Sequence, residues 1–172
     1  MPYKTDHIKV DDAIINKKEV GTIMNPVWFN VSIYDGENKY IEDLAAFSKE
    51  QRLILAILWY LAEVNNGGHE QFYDNSAGIV WEDTKLAFQE LGIEEAVNII
   101  TESVKRLGGN PSKNRETRQK ELVRIKPKFD DLDDNFYKLE EKIDMDEKIM
   151  EYIVNHRTEF YFEGEVKSWQ PK

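Results

Sequence analysis

Apolar side chains recur along most of this chain at intervals of three and four, the spacing that gathers them on one face of an α-helix. Ala96, Ile99, Ile100, Val104 and Leu107 keep that period from Ile93 to the stop at Gly108-Gly109, and Phe129, Leu132, Phe136, Leu139 and Ile143 keep it again. Trp81 to Leu91 predicts a helix stopped by Gly92, and Asp144-x-x-Glu147 caps a last one with Ile149, Tyr152 and Ile153 inside. Ser48-Lys49-Glu50-Gln51 has the form of a capping box and opens the run Leu53 to Leu61. A helix apolar on every side belongs at the centre. Asn66-Gly67-Gly68 should end it, because paired glycines reach left-handed backbone without strain, leaving His69 to Ser76 as a short helical turn. Asn25-Pro26 reads as an N-cap followed by proline at the first helical position, with Val27, Val31 and Tyr34 on one face before Gly36. No run sustains period-two alternation. Val123-Arg124-Ile125-Lys126 comes nearest, and Pro127 closes it after four residues, so a strand there is a weak option. The expected fold is all-α, a single compact helical domain over residues 1–172 around the central apolar helix.

Composition narrows the function. The chain has 172 residues, 33% of them charged, and a formal charge of -10, which disfavours general nucleic-acid binding. With no cysteine, disulfides, thiolate metal sites and cysteine nucleophiles are excluded. The first residues carry no apolar secretion signal, and Leu53 to Ala62 is about half a membrane span, so the expected location is cytoplasmic.

Charge is unevenly placed. Residues 105–128 hold nine basic and two acidic side chains, net +7, whereas 129–151 hold three basic and ten acidic, net -7. The plain reading is that Lys113, Arg115, Arg118, Lys120, Arg124, Lys126 and Lys128 offset neighbouring carboxylates on a solvated surface. A nucleic-acid contact would call for interleaved aromatics, and 105–128 contains none.

The most specific local feature is Asn66-Gly67-Gly68-His69-Glu70-Gln71-Phe72-Tyr73-Asp74-Asn75-Ser76-Ala77-Gly78, following the apolar helix. Phe129-Asp130-Asp131-Leu132-Asp133-Asp134-Asn135-Phe136-Tyr137-Lys138-Leu139 and Tyr152-Ile153-Val154-Asn155 are a second and third. Together they resemble the bacterial DNA-mimic protein family of small helical proteins, over residues 45–157. The family's signature reads NGG, an aromatic, any residue, Q, two aromatics, any residue, N, S, and His69 departs from it where an aromatic is usual. Residues 1–45 carry no signature and are expected to form helices. The resemblance implies a protein that occupies the DNA-binding surface of a transcription factor without catalysis.

On physical grounds the motif residues Asn66, Gly67, Gly68, Gln71, Phe72, Asn75 and Ser76 serve the fold. They would reverse the chain, bury Phe72 beside Tyr73, and satisfy open helix ends. Catalytic and metal readings fare poorly. His69-Glu70 begins like a zinc-protease motif, but Tyr73 stands where the second histidine belongs, and Asp130 to Asp134 lacks the glycine and final glutamate of a calcium loop. A metal site from His69, Glu70 and Asp74 is a minor option; no metal and no cofactor are expected. If 130–141 is helical, Asp130, Asp134, Tyr137 and Glu141 make a stripe about 16 Å long, beside Asp131, Asp133 and Glu140. Duplex DNA presents about one charge per 1.7 Å, so mimicry needs a second row, from Glu82, Asp83, Glu90, Glu94 and Glu95 or from a homodimer. The expected function is that of a non-catalytic acidic protein whose partner is a protein with a basic surface. The alternatives are an immunity-type or regulatory interaction module and, further off, a carboxylate-based enzyme.

Overall fold

A computed structural model describes residues 3–169, with Trp169 described in its backbone only. The order is β1 (Tyr3–Val10), α1 (Asp12–Ile15), α2 (Val20–Asn30), α3 (Glu37–Leu44), α4 (Lys49–Asp74), α5 (Trp81–Leu91), α6 (Glu94–Arg106), α7 (Arg115–Ile125), α8 (Asp130–Lys142), α9 (Met145–Asn155) and β2 (Phe162–Trp169). Short 3-10 turns, Ser76–Val80 and Arg157–Phe160, precede α5 and β2. No helix among the described residues is long and apolar enough to cross a membrane.

Most of the expected helices form, with the expected ends. Ser48 accepts from the Gln51 N–H while the Gln51 side chain accepts from the Ser48 N–H, so the capping box opens α4. Asp144 accepts from the Glu147 N–H at the start of α9, and Gly92 closes α5 in the left-handed region. Val123 to Lys126, the weak strand option, lies at the end of helix α7.

Three expectations need correction. Pro26 lies inside α2, whose first residue is Val20, so Asn25 is no N-cap. Pro26 is the seventh of the eleven residues of α2, an interior position where it has no N–H to give to the carbonyl of Thr22. The break at Gly67 (φ -154°, ψ 21°) and Gly68 (φ 72°, ψ -172°) falls where the glycines put it, but helical structure resumes at once and α4 runs bent to Asp74. The fold is mostly helical without being all-α, because the two ends of the described chain pair antiparallel, Tyr3 opposite Trp169 and Val10 opposite Phe162. This ribbon rests on α2: the Asn30 amide donates to the Glu165 carbonyl at 3.0 Å and its oxygen accepts from the Lys167 N–H. Val10 and Val166 are buried and Ile8 and Phe162 half-buried on one face of the ribbon, alternating with exposed residues, so the strands do carry a short period-two pattern that the expectation of helices throughout passed over.

The core centres on Tyr60 of α4. Its ring meets Phe72, Phe88 of α5 and Phe136 of α8 edge to face, with centroids 5.1, 5.5 and 5.2 Å away. Such pairs contribute about 0.5–1.5 kcal/mol each beyond the area they bury. Phe72 and Phe136 are fully buried as expected; Trp59 is half-buried at the edge, stacked on Trp28 with centroids 4.3 Å apart.

Candidate functional site

The glycine hinge brings α8 against α4. At Gly68 the backbone turns so that the next N–H, that of His69, donates to Asp133 Oδ1 at 2.9 Å. The same oxygen takes a short hydrogen bond from His69 Nδ1, and Nε2 lies 2.7 Å from the Tyr60 hydroxyl. An ionised carboxylate only accepts, so Asp133 fixes the proton on Nδ1 and leaves Nε2 to accept from Tyr60 in the neutral ring. A Cβ on Gly68 would collide with the Asp133 carboxylate, and one on Gly67 would meet Gln71, both at the end of its side chain and at its Cβ. His69 is fully buried while Glu70 and Asp74 point to solvent, so these three do not converge, and no cluster of metal ligands occurs among the described residues. In place of an aromatic, His69 ties the hinge to α8 through polar contacts.

Beyond the hinge, Glu63 accepts from both the Gln71 amide at 2.7 Å and the Asn75 amide at 2.9 Å, and Asn66 donates to the Gln71 oxygen. Gln71 and Asn75 thus bind side chains around the bend, where their residue types suggested that they serve open helix ends. Ser76 opens the 3-10 turn. The far end of the motif is held by Arg118 of α7, whose guanidinium donates to the carbonyls of Tyr73, Asn75 and Ser112 at 2.6, 2.6 and 2.7 Å. Gly78 leaves the room for it, since a Cβ there would strike the guanidinium. Arg118 is therefore not one of the solvated basic residues expected of 105–128; it is fully buried. Burial, with Arg115 nearby, pulls its guanidinium down to about 10, which leaves it charged at neutral pH. The signal available was spacing: Arg118, Leu122 and Ile125 follow one another at four and three residues, on the inward stripe of α7.

Helices α6 and α8 run antiparallel, as their end pairs record. Arg106 at the end of α6 makes a two-pronged contact with Asp131 at the start of α8, at 2.6 and 2.9 Å, and Glu95 lies 3.9 Å from Lys142 at the other end. The Arg106 contact holds the Asp131 carboxyl below its ordinary value. Asp133 is turned inward to His69, Glu140 accepts from the Asn65 amide, and the Tyr137 hydroxyl donates to the Val64 carbonyl. Asp130, Asp134 and Glu141 remain exposed, with no side-chain hydrogen-bond or ion-pair partner among the described residues. On α5, Glu82 pairs with Lys113 at 3.1 Å and Asp83 with Arg52 at 2.7 Å. Glu90 accepts from Lys49 and from the Tyr152 hydroxyl, both at 2.6 Å, which hold its carboxyl below the usual range. Glu94 is exposed in the first turn of α6. The twelve residues expected at a partner surface are therefore of two kinds, and three of the four bare carboxylates, Asp130, Asp134 and Glu141, lie on α8, with Glu94 on α6.

A family model described as DMP19-like protein matches residues 45–156. The chain belongs to the DMP19-like family. Its matched span begins just after α3 and ends just after α9, so it covers the capping box, the hinge, the aromatic hub and the acidic helix of the family's DMP19-like core. The ribbon β1–β2 and helices α1 to α3 lie outside the DMP19-like span. No curated protein and no solved structure matches the chain.

Proposed function

We propose that this protein is a non-catalytic, cytoplasmic binding protein whose acidic α8 face occupies a basic surface on a DNA-binding protein, as a DNA mimic. The observation that carries the reading is the exposed, unpaired set Asp130, Asp134 and Glu141 on one helix of a DMP19-like chain. Three carboxylates along about 16 Å fall short of the ~10 charges that a duplex presents over that length. Asp144, Asp146 and Glu147 continue the negative charge past the end of α8, and a second copy of the chain would add a second row.

The pairing of Glu82, Asp83 and Glu90 favours a second reading, in which the same face recognises a basic partner that is not a DNA binder. Competition separates them. Once a partner has been captured, duplex DNA and this protein should exclude one another from it; simultaneous binding of both would leave an interaction module and remove mimicry. Replacing Asp130, Asp134 and Glu141 by lysine should slow association and flatten its salt dependence, since exposed charges act over about 8 Å at physiological ionic strength. A wild-type rate and salt slope in that variant would take α8 out of the interface.

A further inference from the structure

The two edges of the terminal ribbon are treated differently. The outer edge of β2 lies against α2, where the Asn30 side chain bonds the Glu165 carbonyl and the Lys167 N–H much as a neighbouring strand would. No side chain does this for the outer edge of β1 among the described residues. Antiparallel strands alternate between opposed residues that exchange hydrogen bonds and opposed residues that turn their backbone groups outward. Glu165 and Lys167 turn outward, so their opposites His7 and Thr5 do so too, as does Lys9 opposite Glu163. The backbone N–H and C=O groups of Thr5, His7 and Lys9 have no hydrogen-bond partner among the described residues, and all three residues are exposed.

This is a long edge to leave open. The eight residues of β1 pair with β2 in one unbroken register, with no proline, glycine or bulge, where strands commonly run to about five or six. Main-chain donors and acceptors repeating at every second residue along a straight edge are matched by another extended chain. The side chains narrow its chemistry. Ile8 is half-buried on the face that it shares with Val10 and Val166, so an added strand that is apolar on that face would cover it. On the opposite face Lys9 is exposed, with no ion-pair partner among the described residues, whereas Lys4 is already held by Asp6 at 3.0 Å. A lysine at an open edge repels basic strands and favours a carboxylate directly across from it.

We propose that the outer edge of β1 takes up an extended segment of another protein, apolar on one face and carrying a carboxylate opposite Lys9. The ribbon lies outside the DMP19-like span, and the site does not depend on what α8 binds. The test is amide hydrogen exchange of the isotope-labelled full chain with a blocked hexapeptide of three Glu-Val repeats. The amides of Thr5, His7 and Lys9 should exchange about tenfold more slowly once the peptide stands at about nine times its dissociation constant. Those of Asp6 and Ile8, already bonded to β2, should change little. His7→Pro takes away one outward N–H and no bond to β2, so it should abolish the slowing at Thr5 and Lys9 while Asp6 and Ile8 stay protected. Lys9→Glu should transfer the preference to a hexapeptide of three Lys-Val repeats, which the wild-type chain should not take; if His7→Pro opens the ribbon, this reversal decides alone. No slowing, slowing spread evenly over both sets of amides, undiminished slowing in His7→Pro with its ribbon intact, or equal uptake of the Lys-Val peptide would each overturn the site. So would slowing at Thr5, His7 and Lys9 that rises with protein concentration and needs no peptide, which would give the edge to a second copy of this chain.

Discussion

Asp133 and Asp134 are neighbours in sequence and opposites in use. One helical step of about 100° turns Asp133 toward α4, where its carboxylate takes the backbone and ring of buried His69, and leaves Asp134 in solvent with no partner among the described residues. The same division separates α5, whose Glu82, Asp83 and Glu90 are held by Lys113, Arg52 and Lys49, from the outer face of α8. A net charge of -10 is thus a poor guide to the charge that a partner meets. Many of the 33 acidic side chains are paired within the fold, and among the residues expected at a partner surface Asp130, Asp134 and Glu141 of α8 and Glu94 of α6 are left without a partner among the described residues.

The contrast should show most on the inward face of α8. Phe136→Ala, at the aromatic hub, should cost about 3–5 kcal/mol by urea denaturation. Asp133→Ala should cost about 3 kcal/mol, because it strips acceptors from two donors of a fully buried residue, whereas Asp134→Ala should stay within about 0.5 kcal/mol. Equal effects at 133 and 134 would dissolve the distinction.

The hinge allows a second, smaller contrast. Gly68 has φ 72° and ψ -172°, a region open to little besides glycine, and a side chain there would displace Asp133. Gly68→Ala should therefore lose about 1–3 kcal/mol. Gly67 has negative φ, and a Cβ there would meet the movable end of Gln71 and its fixed Cβ at 2.9 Å, so Gly67→Ala should lose less than Gly68→Ala, which adds the left-handed backbone to the clash. A larger loss at 67 would mean that the bend, and not the approach of α8, is what the glycines protect.

How much of this could be read from the sequence follows from the kind of signal each part carries. Helical periodicity and caps are local, and Ser48, Gly92 and Asp144 do at their helix ends what their spacing predicted. The ribbon was missed because its hydrogen bonds join residues from opposite ends of the chain, and because the alternation of Phe162, Gly164 and Val166 with Glu163, Glu165 and Lys167, and of Ile8 and Val10 with His7 and Lys9, is short. Within the candidate site the acidic helix and the motif were evident, but the purpose of His69 was not. Its two partners come from nine residues upstream and sixty-four downstream, and only the folded hinge brings them together. Arg118 misled for the opposite reason: it sits in a basic segment, and charge composition outweighed the inward spacing that it shares with Leu122 and Ile125.

Glu90 offers a test of the paired set through pH. Hydrogen bonds from Lys49 and Tyr152 lower its carboxyl in the folded chain, so its contribution is present above the ordinary glutamate value and is lost as pH falls through the lower folded one. Glu90→Gln should cost about 1 kcal/mol or less at neutral pH, given the exposure of the Lys49 pair, and should make no difference in acid below that window. A Glu90→Gln penalty that persists in acid would show that the carboxylate's charge is not what Lys49 and Tyr152 hold.

The smallest effect on stability is expected where the effect on binding should be largest. Changing Asp130, Asp134 and Glu141 to lysine removes no side-chain hydrogen bond and no ion pair among the described residues, so each site should shift unfolding by no more than about 0.5 kcal/mol. Asp130 is the exception by position: it lies in the first turn of α8, where a negative charge is favoured by the helix dipole and a positive one is not, and it should account for most of whatever loss is seen. Moving the same reversal to Glu82, Asp83 and Glu90 should be costlier, since Lys113, Arg52 and Lys49 would then face like charge. The two triple variants, compared in one denaturation series, therefore rank the paired face above the bare one in stability. A greater loss from the α8 reversal would mean that Asp130, Asp134 and Glu141 stabilise the fold, and the reason for assigning them to a partner would be gone.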